Sequence, residues 1–161
     1  MEQFERILFV CTDNTCRSVI AEAVMRNVCQ ERKIQIASRG LVVLFPEPLN
    51  PKAVAVLAGN QMTPAKEMSE PLEEEDVTGD TLILAMTAHD REMIRERFPQ
   101  AKYVYTLGDY AGKPGDVEVP HGGSLADYGA CCEYIDLLVK LAAERLFRGD
   151  QSFQKEREEE I

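Results

Sequence analysis

Residues 6–28 constrain this chain more than any other stretch. Arg6-Ile7-Leu8-Phe9-Val10 is a short apolar run, long enough for a buried strand. From Ser18 to Arg32, Ile20, Ala23, Val24 and Val28 recur at helical spacing. Between them lies the polar loop Cys11-Thr12-Asp13-Asn14-Thr15-Cys16-Arg17-Ser18. A loop between a strand and a helix is where open α/β sheets place their ligands.

The rest of the chain keeps alternating. Ile34-Gln35-Ile36-Ala37 reads as a second strand and residues 39–50 as a loop rich in proline and apolar groups. Residues 51–58 read as a helix capped by Asn50, with Pro51 at its first position. Thr81 to Met86 is a third strand, and Thr87 caps a helix running through Arg97, ahead of Pro99. Tyr103 to Leu107 is a fourth strand, and Gly108 to Gly123 a long loop. Ser124 to Phe147 is a final helix with the stripe Tyr128, Cys131, Ile135, Leu138, Leu141 and Leu146, stopped by Gly149.

Strands separated by helices predict an α/β fold of three layers, a four-stranded parallel sheet with helices on both faces. Residues 1–149 form one domain, and 150–161 a charged, frayed tail. The run Glu73-Glu74-Glu75-Asp76 reads as a solvated helix start.

The net charge of −10 repels nucleic acid and anionic membrane in bulk, so neither is expected as a partner. No apolar run reaches the roughly 18 residues of a membrane span. The first residues do not read as a signal peptide, and five cysteines without a CxxC pair read as free thiols. A cytoplasmic location is the expectation.

The loop suggests its own chemistry. A helix N-terminus offers unpaired N–H donors and partial positive charge, and a loop curling ahead of it aims further N–H groups at one point. Arg17 adds a planar fork suited to two phosphate oxygens. Cys11 is expected beneath that cradle, its pKa lowered by the same field, with Ser18 donating to the thiolate. Such a thiolate attacks phosphorus in line and takes the phosphoryl group as phosphocysteine. The alternative is a strand-to-helix turn with a buried, inert Cys11.

These residues resemble the low-molecular-weight, cysteine-dependent protein phosphatases. The resemblance rests on Val10-Cys11-Thr12, Asn14-Thr15-Cys16-Arg17-Ser18 and Ile20-Ala21-Glu22-Ala23. It continues through Ser38-Arg39-Gly40-Leu41, Leu82 to Thr87, Phe98-Pro99 and Pro120 to Ser124, nearly the whole chain except the tail. It implies a flavodoxin-like sheet and hydrolysis of a phosphorylated protein residue, phosphotyrosine or phosphoarginine, with no metal or cofactor. Carried over by position, Cys11 is the nucleophile, Arg17 the phosphate clamp, and Asn14 and Ser18 brace the loop and thiolate. Thr12, Asp13, Asn14, Thr15, Cys16 and Arg17 surround the phosphate. Threonine at position 15 is typical of bacterial protein-arginine phosphatases, where tyrosine-directed members carry a bulkier aliphatic. Thr15 otherwise serves as a local backbone cap.

Two residues depart from the family pattern. The Asp that protonates the leaving group is replaced by Val119, which carries no proton to give. Glu118 and Asp116 are the nearest substitutes, with His121 and Asp109 also close in sequence. General-acid help is worth about 10²–10⁴-fold, so a phosphate-binding relative with little turnover is the alternative function. A phosphoryl carrier fits the Arg17–Ser18 pair less well. The second departure is Asp13, where glycine is usual. Aspartate tolerates left-handed backbone, yet its charge weakens phosphate binding unless it points to solvent.

The family resemblance also implies a reversible Cys11–Cys16 disulfide that shields the nucleophile, unless Cys16 is simply packed. Cys29, Cys131 and Cys132 read as packing residues. The absence of cysteine between Cys29 and Cys131 argues against a thioredoxin-coupled arsenate reductase. In the apolar stretch Leu41 to Pro46, Leu44 and Phe45 are expected either as a wall of the substrate pocket or as core.

Overall fold

Parallel pairing sets the frame of the molecule. The structure, a computed structural model, describes residues 4–120 and 123–148. Among these, four strands form one sheet in the order β2-β1-β3-β4. They are β1 (Arg6–Cys11), β2 (Gln35–Gly40), β3 (Thr81–Ala85) and β4 (Tyr103–Thr106), and every pair is parallel. After β2 the chain crosses to the other side of β1, so the loop leaving β1 stands at the topological switch point.

Side chains alternate along β1. Ile7, Phe9 and Cys11 enter the core beneath the helices α1 (Arg17–Val28), α2 (Pro51–Gly59) and α5 (Leu125–Leu146). Leu8 and Val10 enter a smaller core on the opposite face, against Ile94 and Phe98 of the α3 (Ala88–Arg97) segment and against Leu72 and Val77. The three-layer expectation holds, with unequal layers. Asn50 accepts from Lys52 N at 2.9 Å ahead of Pro51, and Thr87 from Asp90 N at 3.0 Å, as expected of the two caps.

Four expectations are corrected. β2 extends through Arg39 and Gly40, because Cys11 pairs with Gly40 in register. α1 stops at Val28, where the Cys29 N–H closes onto Met25 O. The stretch after β4 opens with a short helix, α4 (Leu107–Ala111), started by the Thr106 side chain on Asp109 N and ended by Gly112 at φ 80°. The buried stripe of α5 runs through Tyr128, Cys132, Ile135, Leu138, Val139, Ala142 and Ala143, so Cys131, Leu141 and Leu146 sit at its margin.

The acidic run is corrected in part. Residues Glu74–Val77 form a single 3₁₀ turn, and Asp76 is buried. Asp76 pairs with Arg6 at 3.3 Å and with Arg39 at 3.3 Å. Gly149 and the tail 150–161 lie outside the described residues, as does His121. None of the described helices is long and apolar enough to cross a membrane.

Candidate active site

The loop after β1 is held open by its carbonyls. Cys11 O accepts from Leu41 N, Thr12 O from Val42 N, Thr15 O from Asn50 N and Cys16 O from Ile20 N, all at 2.8–3.0 Å. These bonds anchor the loop to the segment after β2, to the start of α2 and to the first turn of α1. Gly40 permits the close approach. A Cβ there would lie 2.6 Å from Val43 Cγ2 and 3.0 Å from both Asn14 Cβ and the Asp13 carbonyl carbon.

Asn14 is the hub of the loop. It adopts the left-handed conformation at φ 58°, where Asp13 was the residue suggested for it. Its buried amide donates to Ser18 Oγ at 2.8 Å and Ser38 Oγ at 3.0 Å. The same amide's oxygen accepts from Lys66 Nζ at 3.0 Å and Glu70 N at 2.9 Å. Ser38 then donates to Glu22 Oε1 at 2.6 Å. Every polar atom of the Asn14 side chain is thereby satisfied, which fixes the loop's geometry. Sequence reasoning missed Lys66 altogether and gave Ser38 and Glu22 no role. The only trace of them was their place in the matching stretches. Burial pulls the Lys66 ammonium below its ordinary pKa, against Glu22 and Glu70, which hold it up.

Cys11 closes β1 with its sulfur buried. Ser18 Oγ stands 2.9 Å from Sγ, and Asn14 N donates to Sγ at 3.3 Å. Because Ser18 Oγ accepts from Asn14, its own proton is available to the sulfur. Burial pushes the Cys11 thiol above its ordinary pKa, and it outweighs the Arg17 guanidinium and the Ser18 hydrogen bonds, which pull downward; the Asp13 carboxylate adds to the rise. The expected lowering is corrected in direction: desolvation outweighs the Arg17 and Ser18 interactions that favour the thiolate.

Arg17 opens α1 and is buried. It donates through Nη1 to Val117 O at 3.0 Å, while its buried Nε has no partner among the described residues. A guanidinium proton left over beside a ring of amides fits an oxyanion.

Asp13 is exposed overall, yet its carboxylate turns inward. Oδ1 accepts from Thr15 N at 3.2 Å and lies 3.9 Å from Cys11 Sγ, which donates to it. Thr12 Oγ1 donates to the buried Asp90 at 3.2 Å. Cys16 is buried, and burial pushes its thiol up to about 12. Cys11 and Cys16 are both free thiols.

The substitute acids are placed differently from one another. Asp116 accepts from Ala88 N at 2.9 Å, bracing the start of α3, and Asp109 pairs with Arg91 at 2.9 Å. Glu118 is exposed between the buried Val117 and the half-buried Val119. Leu44 and Phe45 are 84% and 79% exposed, so they are surface residues rather than core.

The family model described as "Low molecular weight phosphotyrosine protein phosphatase" matches residues 6–157. A protein-arginine-phosphatase of Geobacillus stearothermophilus is 36% identical over 143 residues, 88% of this chain and 95% of that protein. A low molecular weight protein-tyrosine-phosphatase, PtpB, of Staphylococcus haemolyticus is 32% identical over 134 residues, 83% of this chain and 94% of that protein. A YwlE arginine phosphatase, solved as a mutant with a phosphorylated active-site serine, superposes with a TM-score of 0.81 at 31% identity, covering 92% of this chain and 99% of that one.

Proposed function

The chain belongs to the low molecular weight phosphotyrosine protein phosphatase family, and from that premise we propose that it hydrolyses a phosphorylated protein residue through phosphocysteine on Cys11. The observation that carries this reading is the sulfur itself. It sits 2.9 Å from Ser18 Oγ and 3.3 Å from Asn14 N, in a loop whose Arg17 has a buried Nε–H with no partner among the described residues.

The chemistry proceeds in two displacements. The Cys11 thiolate attacks phosphorus, an S–P bond forms, and the P–O bond of phosphotyrosine or the P–N bond of phosphoarginine breaks. The departing group takes a proton. Water then attacks the phosphocysteine, inorganic phosphate leaves, and the sulfur regains its electron pair. The loop amides and Arg17 hold the equatorial oxygens as charge redistributes. Ser18 supports the sulfur as leaving group in the second step.

Thr15 and the relationship to a protein-arginine-phosphatase favour phosphoarginine as substrate. The alternative, a phosphate binder with little turnover, is favoured by one observation. Val119 is apolar and half-buried, and Asp116 and Asp109 are engaged elsewhere.

A turnover panel decides between them. p-Nitrophenyl phosphate, a phosphotyrosine peptide and a phosphoarginine protein are each assayed with the native chain and with Cys11→Ser. The expected result is turnover of p-nitrophenyl phosphate and phosphoarginine protein, abolished by Cys11→Ser. Turnover of the nitrophenyl ester alone identifies a working nucleophile without a proton donor. Activity that survives Cys11→Ser removes the mechanism.

A further inference from the structure

The aspartate that replaces glycine in the loop is turned into the site. Asp13 Oδ1 accepts from Thr15 N, one of the amides of the cradle, at 3.2 Å and lies 3.9 Å from the nucleophilic sulfur. An ordinary Asx turn accounts for the first contact, and the second is a long hydrogen bond donated by the nucleophilic thiol itself. The backbone beneath it is held close to β2, because a Cβ at position 40 would lie 3.0 Å from the Asp13 carbonyl carbon and Val42 N binds Thr12 O. Only side-chain rotation can therefore move the carboxylate away. The side chain is exposed, so that rotation into solvent is open to it.

We propose that Asp13 is a charge filter on the phosphate cradle: its carboxylate stands where an incoming phosphoryl oxygen must go, and it selects phosphoryl groups carried on a cation. This rests on the hydrolase reading above and names the substrate class for the same site. A dianionic aryl phosphate brings two negative charges and a neutral ring, so it meets only repulsion from Asp13. Phosphoarginine brings a cationic guanidinium bonded directly to phosphorus. That cation meets the displaced carboxylate at the rim and offsets the repulsion felt by the phosphoryl oxygens. The same negative charge helps hold the Cys11 thiol up, which is a second sign that the carboxylate acts on the reacting centre.

The test uses Asp13→Asn, which keeps a side-chain oxygen for Thr15 N and removes only the charge, and Asp13→Gly, which removes both. Asp13 does not occupy the left-handed region, so neither variant strains the backbone. Inorganic phosphate is titrated by calorimetry, and kcat/KM is measured on a phosphotyrosine peptide and a phosphoarginine protein. Both variants are expected to bind phosphate about five- to tenfold tighter, the size of a partly screened unit charge roughly 4 Å away. kcat/KM on phosphotyrosine should rise by a similar factor while that on phosphoarginine stays level or falls. Unchanged phosphate affinity, or both substrates moving in parallel, overturns the proposal. If the native chain turns over neither substrate, the hydrolase reading fails, and the phosphate titration still decides what Asp13 does to the cradle.

Discussion

Arginines occupy two contrasting settings in this molecule, one half-buried and one buried, and the contrast separates matched from unmatched charge. At one, Arg6 and Arg39 close on Asp76 from two sides at 3.3 Å each, and Asp76 also accepts from Glu73 N at 3.0 Å. Arg39 also pairs with Glu70 at 3.4 Å, so each guanidinium meets a carboxylate, and the cluster ties the 3₁₀ turn to β1 and β2. At the other, Arg17 forms no ion pair among the described residues. It donates once to a backbone carbonyl, and its buried Nε–H has no partner among the described residues. A buried donor left unsatisfied is costly to the fold and is retained where something else binds it. An unmatched buried donor, rather than enclosure as such, is what sets Arg17 apart from Arg6 and Arg39.

Three substitutions break or sharpen that contrast. The largest effect is expected from Arg17→Lys, which keeps the charge and loses the planar fork. kcat should fall about 10²–10³-fold in steady-state assays on p-nitrophenyl phosphate. The urea midpoint should hardly move; a collapse of the fold would place Arg17 with the structural arginines. Next comes Asp76→Ala, which strips Arg6 of its carboxylate partner and leaves Arg39 with Glu70 alone. Equilibrium unfolding should show a loss of about 3 kcal/mol, while turnover of the folded fraction persists. Loss of activity without loss of stability would reverse the assignment. The smallest effect is expected from Val119→Asp, which supplies the site with an acid. kcat on phosphotyrosine peptide should rise about tenfold, and on p-nitrophenyl phosphate not at all, because nitrophenolate departs without proton help. No gain on the peptide would mean that another group, such as the exposed Glu118 beside Val119 in sequence, already serves.

Local patterns made much of this legible. The apolar run before Cys11, the caps Asn50 and Thr87 and the alternation of strands and helices are short-range signals, and they place the sheet and the loop. The strand order and the switch point are long-range, and no local pattern reports them. The same limit hid Lys66. It reaches Asn14 from 52 positions away, through a segment with no regular structure. The Glu73–Asp76 run looked solvated because its partners, Arg6 and Arg39, lie on strands remote in sequence. The direction of the Cys11 pKa also depended on a quantity the sequence does not carry. The field of the loop could be anticipated from Arg17 and Ser18, but the depth of sulfur burial could not.

The segment between β2 and α2 is stapled to the phosphate loop near both of its ends, by Val42 N on Thr12 O and by Asn50 N on Thr15 O. Leu44 and Phe45 project from the span between those staples, exposed. Residues at the crest of such an arch are replaceable without shifting its footings. A lineage can therefore retune which protein surface it greets while the distance from sulfur to phosphorus stays put.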